Sequence, residues 1–317
     1  MIHPASPSPI PHGRTARRLE WAHLPPPLRR LVERRCGSSV VTAHSQGGGY
    51  TPGFASVLEC EDGTRHFVKA ASTKAQRTFA LSYREEARKL ALLPEDVPAP
   101  RLLWTHDNDD WVVLGIEHVE AAAPQRPWRA QDLDRCLGLM STLAETLTPP
   151  PAELELDTFA AELADWPSLW DHVRAARPDL AHADEAADLA ARSAEVTAGR
   201  TVVHTDVRDD NLLLATDGRT LVCDWNWPVV GAAWLDSLFL LLGPRGDGLD
   251  VEAVLASHPL TADVPAEHVD VVLALLAGFF LKSAADPVPP TSPYLRAHER
   301  HEGEVCWAWL AERRGWS

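Results

Sequence analysis

Between Thr201 and Trp227 the chain reads TVVHTDVRDDNLLLATDGRTLVCDWNW. Two short apolar runs, Thr201–Val203 and Leu221–Cys223, bracket a loop dense in Asp, Arg and Asn. Such runs predict buried strands. Charges beside a core are costly unless they are paired or put to use. The segment reads as a hairpin that holds a polar loop against the interior.

The rest of the chain supplies its surroundings. A helix is expected from about Ala16 to Arg35, interrupted by Pro25-Pro26-Pro27. Three strands follow, in SSVVTAH, FASVLEC and RHFVKA, with a Gly-rich turn, SQGGGYTPG, after the first and Asp62-Gly63 before the third. A helix over AQRTFALSYREEARKLALL leads to two more strands around an Asn-Asp turn, and past AAAPQRPW the texture becomes Ala- and Leu-rich helix. The fold class is α+β: a β-rich front lobe with one main helix, and a mostly helical back lobe. The expected divisions are an N-terminal extension and helix over 1–36, a front lobe over 37–120 and a back lobe over 121–317.

Composition narrows the partners. The formal net charge is -15, which argues against nucleic acid. Residues 1–120 carry 15 Lys+Arg and 14 Asp+Glu, whereas residues 121–317 carry 15 and 31. The acidic excess is either a solvated surface or a cleft for a cation. The most apolar stretch, Val269–Leu281, is too short to cross a membrane. Five cysteines without a CxxC point to reduced thiols in the cytoplasm and away from a zinc site.

Phosphoryl transfer needs a carboxylate for the acceptor hydroxyl, oxygen ligands for Mg²⁺, a cation on the phosphates and a backbone that closes over them. Asp206 follows His204-Thr205, Asn211 lies five positions on, and Asp224 closes the second strand. A hairpin would bring Asn211 and Asp224 to one side, with Asp206 next to them. Gly47, Gly48 and Gly49 sit between two strands in neither a P-loop nor a dinucleotide-binding pattern. Strand, glycines, strand is the arrangement in which backbone amides cover phosphates, although a flexible hairpin tip reads the same.

HTDVRDDN followed by LVCDWNW resembles the catalytic loop and metal-binding segment of the aminoglycoside phosphotransferase family, which has a protein-kinase-like bilobal fold. FVKA, EARKLALLPEDVPAPRLL and LGIEHVEA, ahead of it, and GAAWLDSLFLL, after it, resemble the family's third-strand lysine, front-lobe helix, adenine hinge and loop-bracing stretch in the same order. The resemblance implies an ATP- and Mg²⁺-dependent O-phosphotransferase, with GTP left open because the hinge is read by backbone atoms. It implies Asp206 as base, Asn211 and Asp224 as Mg²⁺ ligands, and Lys69 with Glu86 on the phosphates. Glu117 and Val119 would hold adenine through their backbone, and Asp236 would brace the catalytic loop. Helical spacing to Leu90 and Leu93 favours Glu86 over Glu85. His204 is expected to be structural.

Arg208 either stabilises the transferred phosphate or pairs with Asp209 or Asp210. Thr205 departs from the family's usual Gly and adds a Cβ where a permissive backbone is common. The acceptor is expected to be a natural-product antibiotic of aminoglycoside, nucleoside or peptide type, in a monomer or homodimer. The alternatives are a metabolic kinase for a choline-like amine, sugar or homoserine, and a nucleotide-binding scaffold without catalysis. The charge split and nine tryptophans after residue 120 suggest a cationic or sugar-like acceptor with an aromatic contact, although most of those rings are expected in the core.

Overall fold

The computed structural model describes residues 6–316. Strands β1 (Val40–Ser45), β2 (Phe54–Cys60), β3 (Arg65–Ser72), β4 (Leu102–Asp107) and β5 (Trp111–Ile116) form an antiparallel sheet in the order β1-β2-β3-β5-β4. The Asp62-Gly63 turn joins β2 to β3 in a hairpin register that pairs Ala55 with Lys69 and Glu59 with Arg65. One face of the sheet packs on helix α1 (Pro26–Cys36) through Leu28, Val32, Phe54 and Val68. The other face holds helix α2 (Arg77–Leu92), where Ala80 and Tyr83 meet Leu114 and Ile116.

The helix expected from Ala16 begins only at Pro26. Proline suits a first turn because it lacks the amide that would go unpaired there and its φ is already helical. Before it, residues 14–20 form no helix, Trp21–His23 make a single 3-10 turn, and the Thr15 and Ala16 amides donate to the Gly47 carbonyl at 2.8 and 3.1 Å. Their backbone partners lie on the glycine turn rather than in a helix.

Past the sheet the chain is mostly helical. The long helices α3 (Ala130–Thr146), α4 (Ala266–Ser283) and α5 (Leu295–Arg314) enclose the larger core. The stretch Val269–Leu281 lies within α4, and no helix among the described residues is long and apolar enough to cross a membrane. All five cysteines are free thiols.

The hairpin expected around the polar loop is built differently. Strand β6 (Ala121–Ala122) pairs with β8 (Leu212–Ala215), which pairs with β9 (Thr220–Val222) across the Asp217-Gly218 turn. Strand β7 (Thr201–Val203) pairs instead with β10 (Val229–Gly231). Leu212–Ala215 is itself a strand, so it takes the partner that the sequence pattern assigned to β7. The consequence is local: two small sheets deliver residues 204–211 and 223–227 to the same place.

Close packing of α4 offers a direct test. A Cβ on Gly278 would stand 2.6 Å from Trp170 Nε1, a fully buried ring whose indole N–H donates to the Ala274 carbonyl at 3.0 Å. Gly278→Ala gains about 1 kcal/mol in helix propensity but overpacks the core at about 1–3 kcal/mol. A net loss of stability is expected in urea unfolding, and an increase would contradict this packing.

Candidate active site

The site begins at the end of β7. Asp236 accepts from the His204 and Thr205 amides at 2.7 and 2.9 Å. Burial pushes its pKa up to about 6, against the pull of those two amides. Thr205 has φ +68°, in the left-handed region, and this explains why a glycine is common at such a position. Its Oγ1 donates to the Trp227 carbonyl at 2.9 Å, which fixes the strained turn to the next strand connection.

His204 is buried edge-on against Trp225, with ring centroids 4.8 Å apart. Its Nδ1 accepts from the Asp206 amide at 3.3 Å and its Nε2 lies 3.1 Å from the Cys223 carbonyl. One acceptor and one donor nitrogen make the neutral ring, and burial lowers its pKa to about 4. The ring thus ties the 204–206 turn to the 223–224 segment.

Asn211 and Asp224 meet through the backbone, where the Cys223 amide donates to the Asn211 carbonyl at 2.9 Å. Asn211 Nδ2 donates to both the carbonyl and Oδ2 of Asp206 at 2.9 Å. Asp224 also has φ +68°; its Oδ1 accepts from Lys69 Nζ at 2.9 Å and from the Asn226 amide. Among the described residues, Asn211 Oδ1 and Asp224 Oδ2 make no hydrogen bond. They are hard oxygen donors of the kind that fits Mg²⁺.

Lys69, on β3, is the meeting point of the two halves. Its Nζ donates to Glu86 Oε1 at 2.7 Å as well as to Asp224. Burial alone would favour the neutral amine, but Asp224 and Glu86 outweigh it and hold the ammonium charged. Burial also opposes ionisation of Asp224, yet Lys69 keeps its pKa below the usual carboxylate value. Of the adjacent pair on α2, Glu86 faces inward and Glu85 stays at the surface with Arg88. Helical spacing also aims Ser82 and Lys89 at the same segment: Ser82 Oγ donates to Asn226 Oδ1 at 2.7 Å and Lys89 Nζ to the Asn226 carbonyl at 2.6 Å.

Arg208 lies 3.1 Å from Asp210 Oδ1 and 3.4 Å from Asp206 Oδ1, and it covers the Tyr50 ring. Asp209 instead pairs with Arg126, whose Nε and Nη2 donate to its two carboxylate oxygens. Asp210 has a second contact: its Oδ2 accepts from the Gly49 amide at 2.9 Å, joining the glycine turn to the loop over 204–211. A Cβ on Gly48 would lie 3.8 Å from the Asp210 Cβ, so that part of the turn is at the loop as well. Burial raises the Asp206 pKa, although Arg208 pulls the other way.

Glu117 and Val119 lie on the connection between the halves. The Glu117 amide donates to the Arg101 carbonyl at 2.8 Å, and its carboxylate engages Arg219. The Glu117 carbonyl and the Val119 amide make no backbone hydrogen bond among the described residues.

A cavity of about 480 Å³ opens beside Asp206. Aromatic side chains dominate its walls, among them Phe159, Trp166, Trp227, Phe239 and Phe279, with Glu299 and Glu302 at one side. Burial pushes the Glu302 pKa up to about 7. The tryptophans therefore divide. Trp170, Trp225 and Trp309 are fully buried, whereas Trp227 is 59% exposed at the cavity. Sequence reasoning missed Arg126 and Asn226, and it offered Asp210 as a partner for Arg208 but not for the Gly49 amide. Only the 82/86/89 spacing on α2 carried a readable signal, since the other contacts span long stretches of chain.

A model of the phosphotransferase enzyme family matches residues 56–266. No curated protein sequence matches the chain. Among solved structures, the choline kinase LicA from Streptococcus pneumoniae superposes with a TM-score of 0.60 at 14% identity, covering 90% of this chain and 99% of that one. An aminoglycoside phosphotransferase from Alicyclobacillus acidocaldarius gives 0.54 at 16% identity, over 87% and 92%. The AMP-bound spectinomycin phosphotransferase gives 0.60 at 11% identity, over 89% and 98%. At such identities the likeness is one of fold, and the fold is protein-kinase-like.

His204 makes stability depend on pH. The ring is neutral in the fold but protonated in the unfolded chain between about pH 4 and 6.5. Stability is therefore lost as pH falls through that window, by up to about 3 kcal/mol. Asp236, with its raised pKa, acts in the opposite direction below about pH 6. His204→Asn should flatten the acid loss relative to wild type when urea unfolding is compared at pH 7 and pH 4.5. An unchanged slope would contradict the assignment.

Proposed function

The chain belongs to the phosphotransferase enzyme family and is an enzyme that transfers phosphate to a hydroxyl; we propose that it phosphorylates an amine-bearing natural-product antibiotic from ATP. The observation that carries this reading is Lys69 Nζ, 2.7 Å from Glu86 and 2.9 Å from Asp224, whose strand end is tied through the Cys223 amide to Asn211, which in turn holds Asp206. That arrangement suits charge neutralisation at transferring phosphate.

In this reading residues 37–120 form the nucleotide lobe and residues 121–317 the lobe that holds the acceptor. The Glu117 carbonyl and Val119 amide take adenine, the turn of Gly47, Gly48 and Gly49 covers the phosphates with the Gly49 amide anchored on Asp210, and Lys69, set by Glu86, draws their charge. Asn211 and Asp224 would hold Mg²⁺, which when bound neutralises the phosphate oxygens. Asp206 accepts the proton of the acceptor hydroxyl as its oxygen bonds to the γ-phosphorus and the bond to the β-phosphate oxygen breaks, leaving ADP. The raised pKa of Asp206 brings it closer to the range of a general base. Arg208 keeps a positive charge 3.4 Å from that carboxylate.

The acceptor reading rests on the cavity. Its volume falls in the range of sites for drug-sized ligands, and a choline-sized amine would leave much of it unfilled. Aromatic faces with Glu299 and Glu302 favour a molecule with an apolar ring system and a cationic group. The aromatic walls also support a second reading, a metabolic kinase for a choline-like amine. We further propose a cytoplasmic location and no nucleic-acid partner, in keeping with the net charge.

A phosphate-transfer screen over antibiotics, choline-like amines and sugars, read by mass spectrometry of products, tests the proposal. Phosphorylated antibiotic supports it, and turnover of small amines alone replaces it with the second reading. Asp206→Ala should lower kcat by about a thousandfold or more while ATP affinity by calorimetry stays near wild type. Near-normal turnover would remove Asp206 from this role. Trp227→Ala should raise the acceptor KM about tenfold with little change in the ATP KM, and an unchanged acceptor KM would place the acceptor elsewhere.

A further inference from the structure

Residues 13–18, ahead of the Trp21–His23 turn, lie along the glycine turn. Besides the two amides on Gly47, Thr15 Oγ1 donates to the Gly49 carbonyl at 2.5 Å, and the Arg17 amide donates to the Thr291 carbonyl at 2.9 Å. The approach is close: a Cβ on Gly47 would stand 2.7 Å from the Gly13 carbonyl. The segment is thus held between the turn and the helical half, and Arg18 projects from it.

The guanidinium of Arg18 takes hold of the turn from within. One terminal nitrogen donates to the Thr51 carbonyl at 2.6 Å and the other to the Gly48 carbonyl at 2.5 Å. A guanidinium has five N–H donors, and Arg18 Nε is buried without a partner among the described residues. The hydroxyl of Tyr83 is also buried and unpartnered. Tyr83 bridges the two sides of the cluster. A Cβ on Gly53 would lie 2.5 Å from its hydroxyl, and its ring lies 5.7 Å from Lys69 Nζ.

Buried donors without acceptors are costly to keep. Tyr83 stands between Lys69 and Gly53 at the end of the turn, and Arg18 lies on the turn itself. An oxyanion supplies what this group of donors lacks. The charge of Arg18 is felt at Asp224 and Tyr83, where it favours ionisation although burial outweighs or opposes it. The guanidinium therefore lies within Coulomb reach of the lysine centre as well as in contact with the turn.

We propose that Arg18 is a nucleotide-phosphate ligand, a second cation beside Lys69 that the N-terminal segment brings to the glycine turn. The proposal rests on the nucleotide-site reading above. Arg18 closes the turn through the Gly48 and Thr51 carbonyls and offers its remaining donors to the phosphate chain. Adenosine contacts do not involve it, so its contribution grows with the number of phosphates.

Calorimetric titration of AMP, ADP and Mg²⁺-ATP into the full chain and into Arg18→Ala and Arg18→Lys tests this without any acceptor. Charge-assisted hydrogen bonds of this kind predict a loss of about 10- to 100-fold in ATP affinity for Arg18→Ala. The loss for AMP should be no more than about threefold, with ADP between them. Arg18→Lys keeps the charge but not the planar fork, and should show a smaller loss with the same order. Equal losses for all three nucleotides, in either variant, would mean that Arg18 only holds the turn, and would overturn the proposal. A wild-type chain that binds ATP no better than AMP would overturn both this inference and the nucleotide-site reading. A wild-type preference for ATP with uniform losses in the variants overturns only the inference.

Discussion

The buried ammonium of Lys69 holds the two halves of this protein in register. It comes from the central strand of the sheet, whereas its partners come from α2 and from the segment after β9. A buried charge with one partner removed costs about 3–5 kcal/mol, so all three groups must stay in place together. The contacts of Ser82 and Lys89 with Asn226 extend the same seam along one face of α2. The sheet and α2 are thereby tied to the 224–226 segment, and that segment to Asn211 and Asp206 through the Cys223 amide.

The site also holds strain, and the strain is supported locally. Thr205 and Asp224 both adopt left-handed backbone conformations, at about 1–2 kcal/mol each for residues with a Cβ. Asp236 secures the first through two backbone amides, and Lys69 with Asn226 secures the second. Between them His204 links the two turns through both ring nitrogens. Asp206 and Asp224 are thereby fixed before any substrate arrives, which is the preorganisation that electrostatic catalysis requires.

Much of this was legible in the sequence because its signals are local. Alternating strands, an Asp-Gly turn and helical spacing are enough to place β1–β5 and α2, and to turn Glu86 rather than Glu85 inward. The family resemblance was carried by short motifs in a fixed order. The misreadings were about partners distant in sequence. Nothing in Thr201–Val203 says that it pairs with Val229–Gly231, because Leu212–Ala215 is an equally good strand. Nothing in residues 13–18 says that a glycine turn will take up their hydrogen-bonding groups in place of a helix. Asp210 looked like one acid among several, and only the fold brings it to the Gly49 amide. The acidic excess after residue 120 is visible at the cavity, where Glu162, Asp206, Asp209, Asp247, Glu299 and Glu302 stand among aromatic and aliphatic walls with Arg126 and Arg208.

The account places the coupling of the two halves in one ammonium group. Steady-state kinetics of Lys69→Met on the acceptor identified by product analysis measures that coupling most directly. The account predicts a fall in kcat of about a hundredfold or more, from loss of a charge beside the transferring phosphate, with the acceptor KM close to wild type. A Lys69→Met enzyme that folds and keeps wild-type kcat would contradict it.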